Sequence, residues 1–265
     1  MMQLRTRVEG GGTPRPGGWG IDSEYGVLRD VLVGPIDHFT WQAGNAVAQR
    51  SERIGLRFDA AAARAQYEEM LHAYRQAGVT VHQLPAEDGL PYQIFARDSS
   101  VMTPWGAVIL QLQKPYRRGE YAACLRFYLE KGIPIYDMVT AGNVEGGDFM
   151  VLKPGVIACG YSGERSIAPA VEQLRGWFEA EGWEFMAYNF DPHFLHLDVQ
   201  MGMVAEDLAV ICVEAVEPEL VDWLKAKGIR IIDVPYKDAM QMGTNIVALG
   251  NGRVLVLGIG AGHDD

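Results

Sequence analysis

Four segments of this sequence share one pattern: an amphipathic helix signature, a glycine, then a short β-branched run. They are YEEMLHAYRQAGVTVHQL, CLRFYLEKGIPIYDMV, QLRGWFEAEGWEFMAY and LVDWLKAKGIRIIDV. The glycines are Gly78, Gly132, Gly182 and Gly228, at steps of 54, 50 and 46 residues. A glycine there accepts the left-handed backbone that ends a helix. Each unit carries an apolar face that it cannot bury alone, so successive units must pack on one another. Strand–turn–strand stretches precede the last three helices, with turns at Pro-Trp-Gly, Lys-Pro-Gly and Ala-Glu-Asp. VLRDVLVGP, a single strand, and then a longer loop precede the first helix. A fifth strand pair, TNIVALGNGRVLVLG, turns at Asn251-Gly252. The repeating unit is therefore strand, strand, helix, strand. By step length the fifth stop glycine falls past residue 265, so the fifth unit is expected to be incomplete.

Three acidic clusters open successive strand pairs: Phe95-Ala96-Arg97-Asp98, Glu145-Gly146-Gly147-Asp148 and His196-Leu197-Asp198. Equivalent ends of repeated units converge in a closed assembly. Together these residues predict a negative pocket with one titratable base, suited to a planar guanidinium that pairs with carboxylates in bidentate geometry. Taken singly, each cluster has a plainer reading. Arg97-Asp98 reads as a surface ion pair, and Glu-Gly-Gly-Asp as a turn using the positive φ open to glycine. His196 and Asp198 read as neighbours on one strand face. Repetition at equivalent positions favours a site. A metal on His193, His196 and Asp198 is not expected, because His193 falls on the opposite strand face from His196. Arg117 and Arg118 open the second helix and Arg165 the third. Arginines placed there suit a substrate carboxylate. Gly258-Ile-Gly260-Ala-Gly262 has no following helix and is not a dinucleotide fingerprint. Cys124, Cys159 and Cys212 fall within a helix and apolar strands, the setting of inert buried thiols.

Composition narrows the partners. The formal net charge is -11, which repels phosphate backbones, so nucleic acid is not expected as a partner. No apolar run reaches bilayer length, so neither is a membrane. Widely spaced cysteines without disulfide or zinc spacing indicate a reducing, cytoplasmic setting. The Gly-, Pro- and Arg-rich stretch over 1–20 reads as a mobile leader.

FARD, EGGD, FLHLD, the RRGE that opens a helix, the GERS loop and the MGTN hairpin, over about Glu24 to Leu257, resemble the guanidino-group-modifying enzymes. These are dimethylarginine dimethylaminohydrolase, arginine deiminase and their amidinotransferase relatives. The resemblance implies an α/β fold, a five-bladed α/β propeller of ββαβ units. Here residues 21–265 would form one catalytic domain with its fifth unit cut short at the C-terminal end. The resemblance also implies a cysteine thiolate that attacks the guanidinium carbon and a thiouronium intermediate resolved by water. His196 would be the acid/base, with Glu145 orienting and polarising it or the substrate. Asp98 and Asp198 would hold the guanidinium, and Asp148 would support the site. Arg165, with Arg117 or Arg118, would bind a substrate carboxylate. No cofactor and no metal is implied. The family's nucleophile lies near the C-terminus in a Gly-rich stretch ending His-Cys, and none of the three cysteines matches it. The expected activity is hydrolysis of the guanidino group of arginine or methylated arginine. An amidinotransferase and a non-catalytic binder of arginine-like ligands are the alternatives. This 265-residue form is expected to be poorly active and prone to self-association into a homo-oligomer through an open edge.

Overall fold

In the computed structural model, residues 19–42 and 46–257 are described. The expected leader, apart from Trp19 and Gly20, and the stretch from Gly258 onward lie outside the described residues. In chain order the elements are β1 (Asp30–Val33), α1 (Ala46–Arg53), α2 (Ala60–Gln76), β2 (Thr80–Gln83), β3 (Ser100–Thr103), β4 (Gly106–Ile109), α3 (Tyr121–Glu130) and β5 (Ile135–Met138). Then come β6 (Phe149–Lys153), β7 (Val156–Tyr161), α4 (Ala168–Ala180), β8 (Glu184–Asn189), β9 (Met201–Ala205), β10 (Leu208–Ile211), α5 (Pro218–Ala226) and β11 (Arg230–Asp233). The short α6 (Tyr236–Ala239) leads to β12 (Val247–Gly250) and β13 (Arg253–Leu255).

The repeat is present as read. Three sheets have the same order, β3-β4-β5, β6-β7-β8 and β9-β10-β11. In each, the first two strands are antiparallel and the third returns parallel after a helix. The parallel pair β1-β2 carries only the second and third positions of this pattern, and β12-β13 only the first and second. The stop glycines Gly78, Gly132, Gly182 and Gly228 have φ of 84°, 66°, 79° and 76°. Each follows its helix's C-cap residue. Asn251 and Gly252 also take positive φ, 55° and 72°, as the hairpin requires. The long loop after β1 departs from expectation, since it contains α1.

Side-chain alternation along the strands explains how the units join. In β4, Ala107 and Ile109 face a core with Cys124, Phe127 and Tyr128 of α3, while Val108 faces a second core shared with Leu174 and Phe178 of α4. In β6, Phe149 and Val151 enter that second core, and Met150 and Leu152 enter a third with Leu220 and Leu224 of α5. The β3-β4-β5 and β6-β7-β8 sheets are thus each sandwiched between their own helix and the next unit's, because successive residues point to opposite faces. β4 and β7 are almost wholly buried as a result, whereas β1 is buried only at Val33.

Phe178 anchors the second core. It is fully buried and its ring contacts Trp105, Tyr136, Phe149 and Phe185. Phe178→Ala should destabilise the protein by about 3–5 kcal/mol. The check is a lower urea midpoint with an unchanged slope, since the surface exposed on unfolding stays the same.

Candidate active site

The three acidic clusters do not begin strands. Each forms a 3-10 turn immediately before one: Ala96–Ser99 before β3, Gly146–Asp148 before β6, and Leu197–Val199 before β9. The first packs on the second and the second on the third. The glycines of the middle turn make this approach possible. A Cβ on Gly146 would lie 1.9 Å from the Arg97 carbonyl oxygen, and one on Gly147 would lie 2.8 Å from Cγ of His196. Neither glycine has positive φ, so close packing, not the expected turn conformation, explains the pair.

His196 is the hub. It is buried at 6% exposure, and its Nδ1 lies 3.2 Å from Asp148 Oδ2. Asp148 is held in turn. Its Oδ2 accepts from Ser166 Oγ at 2.5 Å and its Oδ1 from the Leu197 backbone N–H at 2.9 Å. With Nδ1 turned to Asp148, Nε2 faces Glu145 Oε2 at 3.5 Å and Asp98 Oδ1 at 3.9 Å. Burial alone would favour neutral imidazole, but Asp148 first, then Asp98 and Asp198, outweigh it and raise the His196 pKa to about 10.

Two guanidinium groups close the cluster. Arg117 NH1 pairs with Asp98 Oδ2 at 2.9 Å and stands 3.6 Å from Glu145 Oε2. Arg165 NH1 donates to Glu145 Oε2 at 2.9 Å. Glu145 is fully buried, its Oε1 accepting from the Gln113 backbone N–H and its own N–H donating to Ser166 Oγ. Burial and the nearby Asp98 raise the Glu145 pKa against the opposing pull of His196, Arg165 and Arg117. For Asp98 burial acts in the same direction, but His196 and Arg117 prevail and its pKa falls.

Several expected placements change. Arg97 and Asp98 do not pair as a surface couple. Asp98 turns inward to Arg117, and Arg97 Nε reaches Asp198 Oδ2 of the next unit but one at 3.3 Å. His196 and Asp198 do not share a strand face, because they flank and enter a 3-10 turn. Asp198 lies beside the cluster in the hold of Arg97. Burial lifts its pKa to about 6 against the pull of Arg97 and His196. Arg117 ends a 3-10 turn (Pro115–Arg117) ahead of α3, and Arg165 precedes α4, so neither opens a helix. Arg117 and Arg165 are buried among carboxylates, while Arg118 is exposed and donates to the Gln113 carbonyl at 3.3 Å. His193 lies apart, exposed and 3.3 Å from the Tyr236 hydroxyl. Ligand atoms of Asp98, Glu145 and His196 do lie within 4.8 Å of one another. Arg117 and Arg165 already pair with those carboxylates and would compete with a bound metal ion. Two residues without an assigned role in the sequence, Ser166 in GERS and Glu120 in RRGE, belong to the network. Ser166 is the uncharged polar residue of GERS, and Glu120 stands at i,i+3 from Arg117, a spacing that signals their ion pair.

All three thiols lie elsewhere. Cys124, Cys159 and Cys212 are fully buried in the core. Burial raises the pKa of each, that of Cys124 to about 12. A surface pocket of about 370 Å³ is lined by residues including His38, Gln42, Leu90 and Tyr116, and none of the central carboxylates lines it.

Three units of the repeat thus each deliver a turn with charged side chains to one polar centre. The signature of the family described as "N,N dimethylarginine dimethylhydrolase, eukaryotic" matches residues 37–261, and the chain belongs to that family. The uncharacterized protein YkgA of Bacillus subtilis is 29% identical over 236 residues, spanning 89% of this chain and 80% of its own length. Among solved structures, the DDAH of Pseudomonas aeruginosa in complex with citrulline superposes with a TM-score of 0.68. It has 20% identity and covers 87% of this chain and 84% of its own. SxtG, an amidinotransferase of Microseira wollei in the saxitoxin biosynthetic pathway, gives 0.73 at 17% identity, covering 90% and 85%. At such identities the two structures establish a shared fold. No helix among the described residues is long and apolar enough to cross a membrane.

Two outcomes follow from this geometry. Gly147→Ala should displace the His196 ring and destabilise the protein by about 1–3 kcal/mol, the usual range for overpacking. The check is a lower melting temperature together with altered His196 ring resonances. The raised pKa of His196 also sets a pH window. Its ion pairs contribute fully below its ordinary value of 6.5, and the contribution is lost as pH rises through about 10. Melting temperature should therefore fall across that interval, and His196→Gln should flatten the slope.

Proposed function

We propose that this chain binds the guanidino group of arginine or a methylated arginine at Asp98, Glu145 and His196, in a site of the hydrolase kind. The supporting observation is the single buried imidazole held between the Asp148 carboxylate and the Asp98–Glu145 pair. Carboxylates outnumber guanidinium groups there, which favours a cationic ligand. Arg165 Nε is a buried donor without a hydrogen-bond partner among the described residues. It is therefore suited to a substrate carboxylate oxygen, with exposed Arg118 at the rim. Asp198, held by Arg97, contributes negative charge beside the site. On this reading the five sheets are blades of one ring and the site lies at its axis.

In the hydrolytic reaction a thiolate attacks the guanidinium carbon. The C–N bond to the leaving amine then breaks as His196 protonates that nitrogen. Water, deprotonated by His196, attacks the thiouronium carbon, expelling the thiolate and leaving a ureido product. Asp148 keeps the imidazole oriented through both steps. None of the three thiols hydrogen-bonds to the cluster, and a thiol with a raised pKa is a poor nucleophile. Binding without turnover is therefore the outcome for this 265-residue chain.

L-Arginine or asymmetric dimethylarginine should raise the melting temperature, by the equivalent of about 2.7 kcal/mol at a hundredfold excess over Kd. Asp98→Asn should remove the rise, and no citrulline should be released. Citrulline release that disappears in Cys159→Ser or Cys212→Ser would overturn the assignment of those thiols as inert.

A further inference from the structure

Glu120 closes the RRGE motif and has no part in the chemistry above, yet it is 1% exposed. It stands at the N-cap position of α3 and makes no capping hydrogen bond, so helix capping does not account for it. Its carboxylate faces Arg117 instead. Nε of Arg117 lies 3.0 Å from Oε1 and 3.3 Å from Oε2, and NH2 lies 2.8 Å from Oε2. This pairing fixes the plane of the guanidinium. The rings of Tyr92 and Phe95 cover it, each centroid 5.7 Å from Cζ. With Nε and NH2 taken, NH1 is the arm directed into the site, on Asp98 Oδ2 at 2.9 Å. Asp98 Oδ1 is then left facing the Gly147 backbone N–H at 3.3 Å and His196.

We propose that Glu120 is a positioning residue: it locks Arg117 so that NH1 holds one oxygen of Asp98 and leaves the other presented to the ligand. The ligand part of this statement rests on the function proposed above; the positioning of Arg117 and Asp98 does not. Burial raises the Glu120 pKa to about 7 against the pull of Arg117, and Arg117 supplies the side-chain hydrogen bonds recorded for Glu120 among the described residues.

Glu120→Gln keeps the side-chain shape and removes the charge. In the folded variant the Arg117 Nε–H resonance should move, and the Asp98 carboxyl should titrate at higher pH, since Arg117 no longer holds it down. Affinity for L-arginine by calorimetry should fall about tenfold or more, the loss of a charged hydrogen bond acting at one remove. Glu120→Asp should recover part of it. Arg117→Lys should raise the Asp98 midpoint in the same way, and this reads the coupling even if Glu120→Gln fails to fold. Combined with Glu120→Gln it should add little, as for two members of one unit. Unchanged Arg117 and Asp98 signals in folded Glu120→Gln, or full additivity in the double variant, would overturn the positioning role. If wild-type protein does not bind L-arginine while those signals still move, the proposed function fails and the positioning role stands.

Discussion

Charge buried away from water must be answered by charge, and this requirement organises the centre of the molecule. Asp98, Glu120, Glu145 and Asp148 are all buried. A lone carboxylate in an apolar interior is driven to protonate. They remain together because Arg117, Arg165 and His196 stand between them and because backbone N–H groups of Gly147, Leu197 and Gln113 supply further hydrogen bonds. Two units of the repeat each hold both signs of charge: Asp98 and Glu120 pair with Arg117 in one, and Glu145 pairs with Arg165 in the next. Asp98 precedes β3, Glu145 and Asp148 precede β6, and His196 precedes β9. The arginines come from loops that follow β4 and β7. Docking of the units adds the contacts between them, from Arg117 to Glu145 and from His196 to Asp148, Glu145 and Asp98.

Much of this was legible in the sequence, and the reason is local. A stop glycine, a hairpin dipeptide and a β-branched run report on backbone conformations that a few residues determine by themselves, and Gly78, Gly132, Gly182, Gly228 and Asn251-Gly252 all behave as their chemistry demands. The acidic clusters were found because they recur at equivalent places. What escaped was non-local. Arg97 and Asp98 are adjacent in the chain and pair with different partners, Asp198 and Arg117, because the 3-10 turn sends their side chains in different directions. Glu120 stands at i,i+3 from Arg117, a spacing the sequence does carry, while Ser166 meets Asp148 and Glu145 only once the β6–β7 hairpin has formed. Helix α1 is not evident from the sequence because its segment, AVAQRSER, is short and has its apolar residues only in the first turn.

The fold and the site carry different weights in the functional reading. An architecture shared with a dimethylarginine dimethylaminohydrolase and with an amidinotransferase does not choose between hydrolysis and transfer. The site adds groups that either reaction can use: an imidazole whose one nitrogen is anchored on Asp148 while the other faces carboxylates. The chain's own thiols contribute to the core. Cys159 pairs across a strand ladder with Phe149, a position governed by packing.

The recurrent 3-10 turn gives this architecture a property separate from its chemistry. Each unit presents its functional side chain from a short segment tethered to a rigid hairpin, like a tool in its own holder. Because the turns touch, a change at Gly146 or Gly147 in the middle holder is felt by Arg97 on one side and His196 on the other, so the three instruments are set against one another like the jaws of a single chuck.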